Sequence, residues 1–428
     1  MANETTKIKN ISAREILDSR GEPTLEVEII SENGLRAKAQ VPSGASKGKY
    51  EVLELRDNDL NRYKGKGVLK ARENVKTKIN NALKGMEITD QKKIDQIMLD
   101  LDATKNKSNL GANAILGVSL ACARLGAMSK KIPLYEYLRK LYGIENKNFA
   151  LPQPMFNIIN AGKHVESSKA EIQEFMVVPA KNNFEKMLRT GVEIFYILKN
   201  ILKGIKGYTT AVGDEGGFAP ALKNNEEAIK LIEEAINSVG YKAGKDAFIA
   251  LDAAASEFYD EKTKKYKLEG KEWSFLEIIN LYQDWALKHP IISIEDGLAE
   301  DDWMGWKALT EKMKIQNKDL LIVGDDLFVT DTEKLKKGVE MSIANAILIK
   351  PNQIGTLTET LDCIKLAREN DYKIIISHRS GETIDDFIAD LAVAVNADFI
   401  KTGAPSRGER IAKYNRLLEI EEELQKNV

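Results

Sequence analysis

Six short apolar runs in the second half of the chain each stop at charged side chains, and this repeated ending constrains the fold more than any other feature. FIALD stops at Asp252, IISIED at Glu295 and Asp296, and LLIVGDD at Asp325 and Asp326. AILIK stops at Lys350, KIIISHRS at His378 and Arg379, and FIKTG at Lys401. Buried parallel strands read as short runs of this kind, and a barrel of them gathers its chemistry where the strands stop. The run ends lie 23 to 43 residues apart, about the length of one strand–helix unit. An open doubly wound sheet would give similar spacing but should carry a glycine-rich phosphate loop after its first strand. Neither a GxGxxG nor a Walker pattern is present, so a barrel is the better reading.

The first third is patterned differently. LEVEII and LRAKAQV alternate with period two across Glu32, Asn33 and Gly34, which predicts an antiparallel hairpin with one solvated face. Helical periodicity follows in GVLKARENVKTKINNAL, TDQKKIDQIMLDLD and NAILGVSLACARLGAM, and this mixture predicts a small α+β domain ending near Tyr142. LPQPMFNIIN and IQEFMVVP then read as two strands, and a stripe of Ile229, Ile232, Ile236 and Val239 reads as a helix ended by Gly240. A chain of 428 residues holds one barrel of roughly 250 residues and one smaller domain. The expected division is 1–142 and 143–428.

Asp252, Glu295 and Asp325 come from three consecutive strand ends, which suits a hard divalent cation bound by oxygen, Mg2+ above all. One such acid is as often a helix N-cap, but three in succession weaken that explanation. Asp296 and Asp326, directly following, read as groups that orient neighbours or cap helices. A lysine at a strand end can be merely solvated. Beside a cation and a second lysine, however, its ammonium is penalised, and Lys350 or Lys401 could then act as a base towards a carbon acid. A carbon acid beside a carboxylate needs its new charge neutralised, and a divalent cation does that.

Lysine plus arginine (63) nearly balances aspartate plus glutamate (65), so no field favours nucleic acid or an anionic membrane. Cys122 and Cys363 each sit in an apolar helical pattern and read as buried thiols in a reducing compartment. The N-terminal stretch has no apolar signal core, and AILGVSLACARLGAM is interrupted by Ser119 and Arg124. The expectation is a cytoplasmic protein without a membrane span.

An ordered series of motifs carries a resemblance along nearly the whole chain, from about Ile11 to Leu424. LDSRGEPTLEVE, VPSGASKG, LGANAILGVSLA, IQEFM, GDEGGFAP, SIEDGLAEDDW, KPNQIGTLTET, SHRSGET and IKTGAPSRGERIAKYN together resemble the enolase family. The resemblance implies a TIM-type (β/α)8-like barrel of the enolase variant with an N-terminal α+β domain. It further implies reversible, Mg2+-dependent dehydration of 2-phosphoglycerate to phosphoenolpyruvate, with two Mg2+ per site. Lys350 matches the base at C2, Lys401 the neighbour contacting the substrate carboxylate, and Glu215 the acid assisting departure of the C3 hydroxyl. Glu174 matches the carboxylate beside Glu215, and such paired acids share a proton. Asp252, Glu295 and Asp325 match the ligands of one Mg2+, and Ser43 matches a mobile-loop residue reaching the second. Arg379 and Ser380 match the phosphate contacts, His378 a neighbour at the reacting centre, and His164, Gln173, Glu174, Lys401 and Asp325 complete the implied substrate contacts.

The chain departs from the family pattern around His164, where NAGKHVESSKAEIQEF replaces a glycine with Ala161 and an alanine with Val165, and where the stretch is one residue longer. Lys47 stands where many members have threonine, and His289, preceding a proline, reads as structural. A different enolase-superfamily lyase or isomerase, and an inactive scaffold or binding protein on the same fold, are the alternatives. The resemblance also implies a homodimer, or an octamer built from it, binding a small-molecule substrate and no nucleic acid. An added surface-binding role stays open.

Overall fold

The computed structural model describes residues 6–45, 48–144, 146–162 and 168–426. The chain opens with a three-stranded antiparallel sheet of β1 (Ile8–Leu17), β2 (Pro23–Ser31) and β3 (Arg36–Gln40). The predicted hairpin is β2–β3, and β1 adds an edge strand that the alternation of the other two does not announce. On the hairpin's second face Arg36 and Lys38 are exposed, as expected, but Glu26 is only 5 % exposed. Arg14 at 2.8 Å, Lys38 at 3.2 Å and the Gln40 amide at 2.9 Å cover its carboxylate. The opposite face carries Leu25, Val27 and Ile29, all fully buried.

The helix Ala112–Lys130 lies on that sheet and is buried almost all round. Gly117 permits the approach, since a Cβ there would lie 2.6 Å from a methyl of Val27. Among the described residues this is the one helix long and apolar enough to cross a membrane, and its burial against β2 and β3 accounts for its composition. Cys122 and Cys363 are both buried and unpaired to one another. The helix Leu134–Tyr142 closes this region, with Gly143 in the left-handed conformation at its C-terminus (φ 92°).

Eight strands then close into a barrel: β4 (Gln153–Asn160), β5 (Glu174–Pro179) and β6 (Ala247–Asp252), followed, after an inserted antiparallel sheet of β7 (Tyr259–Asp260), β8 (Lys265–Leu268) and β9 (Lys271–Trp273), by β10 (Ile291–Glu295), β11 (Leu321–Gly324), β12 (Ala346–Ile349), β13 (Lys373–Ser377) and β14 (Phe399–Lys401). The insertion explains why 43 residues separate Asp252 from Glu295. The six runs named from sequence are parallel to one another. Strict alternation of strand and helix fails at the start, where β5 is antiparallel to both β4 and β6. Two helices, Phe184–Gly204 and Asn225–Ser238, follow β5 before β6 begins.

Reversal of β5 has a direct consequence for chemistry. Its first residue, Glu174, pairs in register with Asp252, the last residue of β6. The beginning of one strand therefore reaches the mouth where the other seven end. Below that mouth the interior is filled by Met155, Met176, Val178, Ala250, Val323, Ala346, Leu348 and Ile375, so the barrel is a packed core and not a pore. Helices are started by side chains that accept the first free amides: Asn183, Asn224, Asp302, Asp331 and Thr356 each cap one, and Ser274 with Glu277 forms a full capping box.

Candidate active site

The strand ends converge on a buried, strongly polar pocket. It is lined by Glu51, Gln173, Glu174, Glu215, Asp252, Asp325, Lys350, His378, Arg379, Ser380 and Lys401, among others. At its centre the Lys401 ammonium, 2 % exposed as a residue, donates to Asp252 Oδ2 at 2.8 Å and to Glu295 at 2.8 and 2.9 Å. It also lies 3.1 Å from Glu174. Three acids from β5, β6 and β10 thus share one cation supplied by β14. Lys350, just beyond β12, donates to Asp325 Oδ2, and Gln353 donates to the other oxygen of that carboxylate at 2.9 Å. Thr330 ties the arrangement together, donating to Gln353 Oε1 at 2.9 Å and accepting from the Lys350 amide at 2.9 Å.

The expected neutral lysine depends on a neighbouring cation, and against the carboxylates alone the balance favours charge. Burial disfavours charge on Lys350 and Lys401, but attraction from Asp325 to the first, and from Asp252, Glu174 and Glu295 to the second, wins. The carboxylates around each lysine thus favour its charged form. The acids respond in kind. Burial and then the charge of Glu215 push Glu174 far above the carboxylate range. Burial and then Asp252 do the same to Glu295. Asp325 goes the other way: burial opposes its charge, yet Lys350, Lys401 and Arg379 hold it ionised below the usual range.

Asp296 behaves as an orienting group, in keeping with its sequence reading. Asp296 accepts from the amides of Asp325 and Asp326 at 2.9 and 2.8 Å, which sets the turn after β11. Among the described residues, Asp296, Asp325 and Asp326 bring ligand oxygens within 4.8 Å of one another. Asp252 and Glu295 instead converge on the Lys401 cation. Their oxygens, with those of Asp325, form a hard, buried, cation-seeking donor set, which fits a divalent ion of the magnesium type. The upward shifts of Glu174 and Glu295 signal the same shortage of positive charge.

His378 follows β13 and lies beneath Glu215. Its Nε2 is 3.3 Å from Glu215 Oε2, and Asn157 donates to that same oxygen at 2.9 Å. Burial, only partly offset by Glu215, lowers the His378 pKa to about 4, so the ring is neutral. Gln173 and Ser380 line the pocket as expected. His164 and Lys47 lie outside the described residues.

Ser43 is held beside the SHRS loop. Its backbone forms a two-way bridge with Gly381, at 2.7 and 2.9 Å. Its hydroxyl donates to Glu54 at 3.2 Å and accepts from Arg56 at 2.9 Å. The second serine of SGAS, Ser46, lies outside the described residues. Sequence reasoning also missed Glu51, which reaches the pocket from the N-terminal region and binds Arg379 through both of its oxygens, at 2.9 and 3.0 Å. No local pattern marks it, since its partner is 328 residues away. His289, read as structural, sits between Glu226 and Glu233 at 3.3 and 3.1 Å.

Two family models match the chain. Residues 8–138 match a model described as Enolase, N-terminal domain, and residues 148–428 match Enolase, C-terminal TIM barrel domain.

Proposed function

The chain belongs to the enolase family, and from that membership we propose that it catalyses the reversible dehydration of 2-phosphoglycerate to phosphoenolpyruvate with Mg2+. The observation that carries this reading is the juxtaposition, in one buried pocket, of two lysines with two acids, Glu174 and Glu215. Removing a proton from carbon and expelling a hydroxyl from the adjacent carbon require a base and an acid that do not neutralise each other. Here they are held on different elements, Lys350 just beyond β12, Glu174 at the start of β5 and Glu215 in the turn of GDEGG.

In this reading Lys350 takes the C2 proton onto Nζ, and the electron pair left behind becomes the C2–C3 double bond as the C3–O bond breaks. The proton shared by Glu174 and Glu215 goes to the departing hydroxyl, which leaves as water. Arg379 and Ser380 receive the phosphate, for which the guanidinium fork is suited, and Lys401 meets the substrate carboxylate. When bound by Asp252, Glu295 and Asp325, the divalent cation supplies positive charge to that carboxylate. With Asp325 so engaged, Lys350 is released from the attraction that otherwise keeps it protonated. Burial of the pocket excludes bulk water and strengthens each of these interactions.

The test is the ultraviolet absorbance rise of phosphoenolpyruvate formation from 2-phosphoglycerate, with Mg2+ and then with excess chelator. A rise that chelator abolishes is expected. Folded, Mg2+-loaded protein that gives no rise would overturn the assignment and favour another enolase-superfamily substrate or a scaffold role.

A further inference from the structure

The GERIAKYN segment near the C-terminus carries a residue that the catalytic reading does not use. Arg410 lies in the first turn of the helix Gly408–Lys426 and is fully buried. Its guanidinium is directed at the underside of the pocket. Nη1 donates to the Arg379 carbonyl at 2.6 Å and lies 2.5 Å from His378 Nδ1. Nη2 donates to the carbonyls of Asp214 at 2.9 Å and Ser380 at 2.7 Å. One side chain therefore joins the GDEGG loop to the SHRS loop. The fold makes room for it at Gly403, where a Cβ would lie 2.8 Å from Arg410 Cδ and where φ is +84°. One turn further along the same helix, Lys413 donates to Glu382 at 2.8 Å, and Glu382 in turn accepts from the Arg379 amide at 3.1 Å.

A guanidinium can only donate. The His378 Nδ1 that faces it at 2.5 Å must therefore present a lone pair, and a neutral ring then carries its single proton on Nε2. That nitrogen is the one facing Glu215. We propose that Arg410 is a positioning residue that holds His378 in its Nε2–H tautomer, so that the ring turns a donor towards Glu215 in the pocket. With the opposite tautomer, Nε2 would present a lone pair to Glu215 Oε2 across 3.3 Å in place of a donor. The charges acting most strongly on the ring are those of Glu215, Arg410 and Glu382. Of these Arg410 alone approaches Nδ1, and its direction of donation is invariant.

The experiment is long-range proton–nitrogen correlation NMR on 15N-histidine-labelled protein at neutral pH. The chain has only three histidines, and His378 is assigned by the signals that His378→Asn removes. A protonated Nε2 with an unprotonated Nδ1 is expected. In Arg410→Met the Nδ1–H form or the imidazolium should gain population, whereas Arg410→Lys, whose ammonium also only donates, should keep the parent pattern. An Nδ1–H or imidazolium His378 in the parent would overturn the proposal. So would an unchanged tautomer in folded Arg410→Met, or an Nδ1–H ring in Arg410→Lys should the methionine variant fail to fold. The importance of Glu215 rests on the proposed dehydration, and there Arg410→Met should lower kcat by roughly tenfold or more with little change in KM. The spectra need no turnover, so they stay informative even if the substrate assignment fails.

Discussion

Glu51 grips Arg379 with both carboxylate oxygens, and the two side chains are 6 % and 4 % exposed. An acid from the N-terminal region thus occupies the guanidinium fork that the proposed reaction assigns to phosphate. A buried pair broken on one side leaves an uncompensated charge, at a cost of about 3–5 kcal/mol. Glu51→Gln should therefore lower the melting temperature, and inorganic phosphate should restore more stability to the variant than to the parent. Thermal unfolding with and without phosphate checks this. Equal phosphate stabilisation of both proteins would mean that Glu51 does not compete for Arg379.

Lys401 is the shared counter-ion of Asp252, Glu295 and Glu174. Replacing it with methionine leaves three acids facing each other, so Lys401→Met should be destabilised by about 3 kcal/mol or more without added metal. Mg2+ should then raise its melting temperature by more than it raises the parent's. A variant whose stability ignores Mg2+ would argue against these carboxylates as a cation site.

Lys350 and Glu215 have separable roles in the proposed reaction. Lys350→Ala should abolish exchange of the C2 proton of 2-phosphoglycerate with solvent, and turnover with it. Glu215→Gln should retain more exchange than turnover, because it impairs only the hydroxyl's departure. Isotope exchange measured beside phosphoenolpyruvate formation distinguishes the two. Equal losses in Glu215→Gln would contradict the division of labour.

Asp398 supplies a pH dependence remote from the pocket. Burial opposes its charge, but the Ile374 amide, Arg368 and Lys373 outweigh burial and hold its pKa below the ordinary value. A carboxylate depressed in the folded state contributes stability above its unfolded pKa, near 3.9, and loses it as pH falls through the folded value. The stability gap between the parent and Asp398→Asn should be widest above about pH 5 and narrow steadily at more acid pH. Denaturant unfolding across that range measures it, and a constant gap would show that the ion pairs contribute nothing.

Much of the barrel was legible because its signals are local. A strand's apolar run and the residue that stops it lie within a few positions of each other, so Asp252, Glu295, Asp325, Lys350, His378 and Lys401 could be assigned to one mouth from order and spacing. Gln173, Ser380 and Arg379 came with the motifs around them and also line the pocket. The hairpin turn and the helices before Tyr142 were equally readable, since period 2 and period 3.6 need only near neighbours.

What the tertiary structure alone decided is everything that depends on pairing across the chain. The reversal of β5, which carries Glu174 to the mouth from the start of its strand, is a choice of hydrogen-bonding partners between β4 and β6. So are the turning of Ser43 towards Arg56 and Glu54, the clasp of Glu51 on Arg379, and the approach of Arg410 to His378. The carboxylates gathered around the two lysines belong here too. A pKa sums over every charge within a few ångströms, and sequence order carries no record of which carboxylates the fold will crowd around an ammonium.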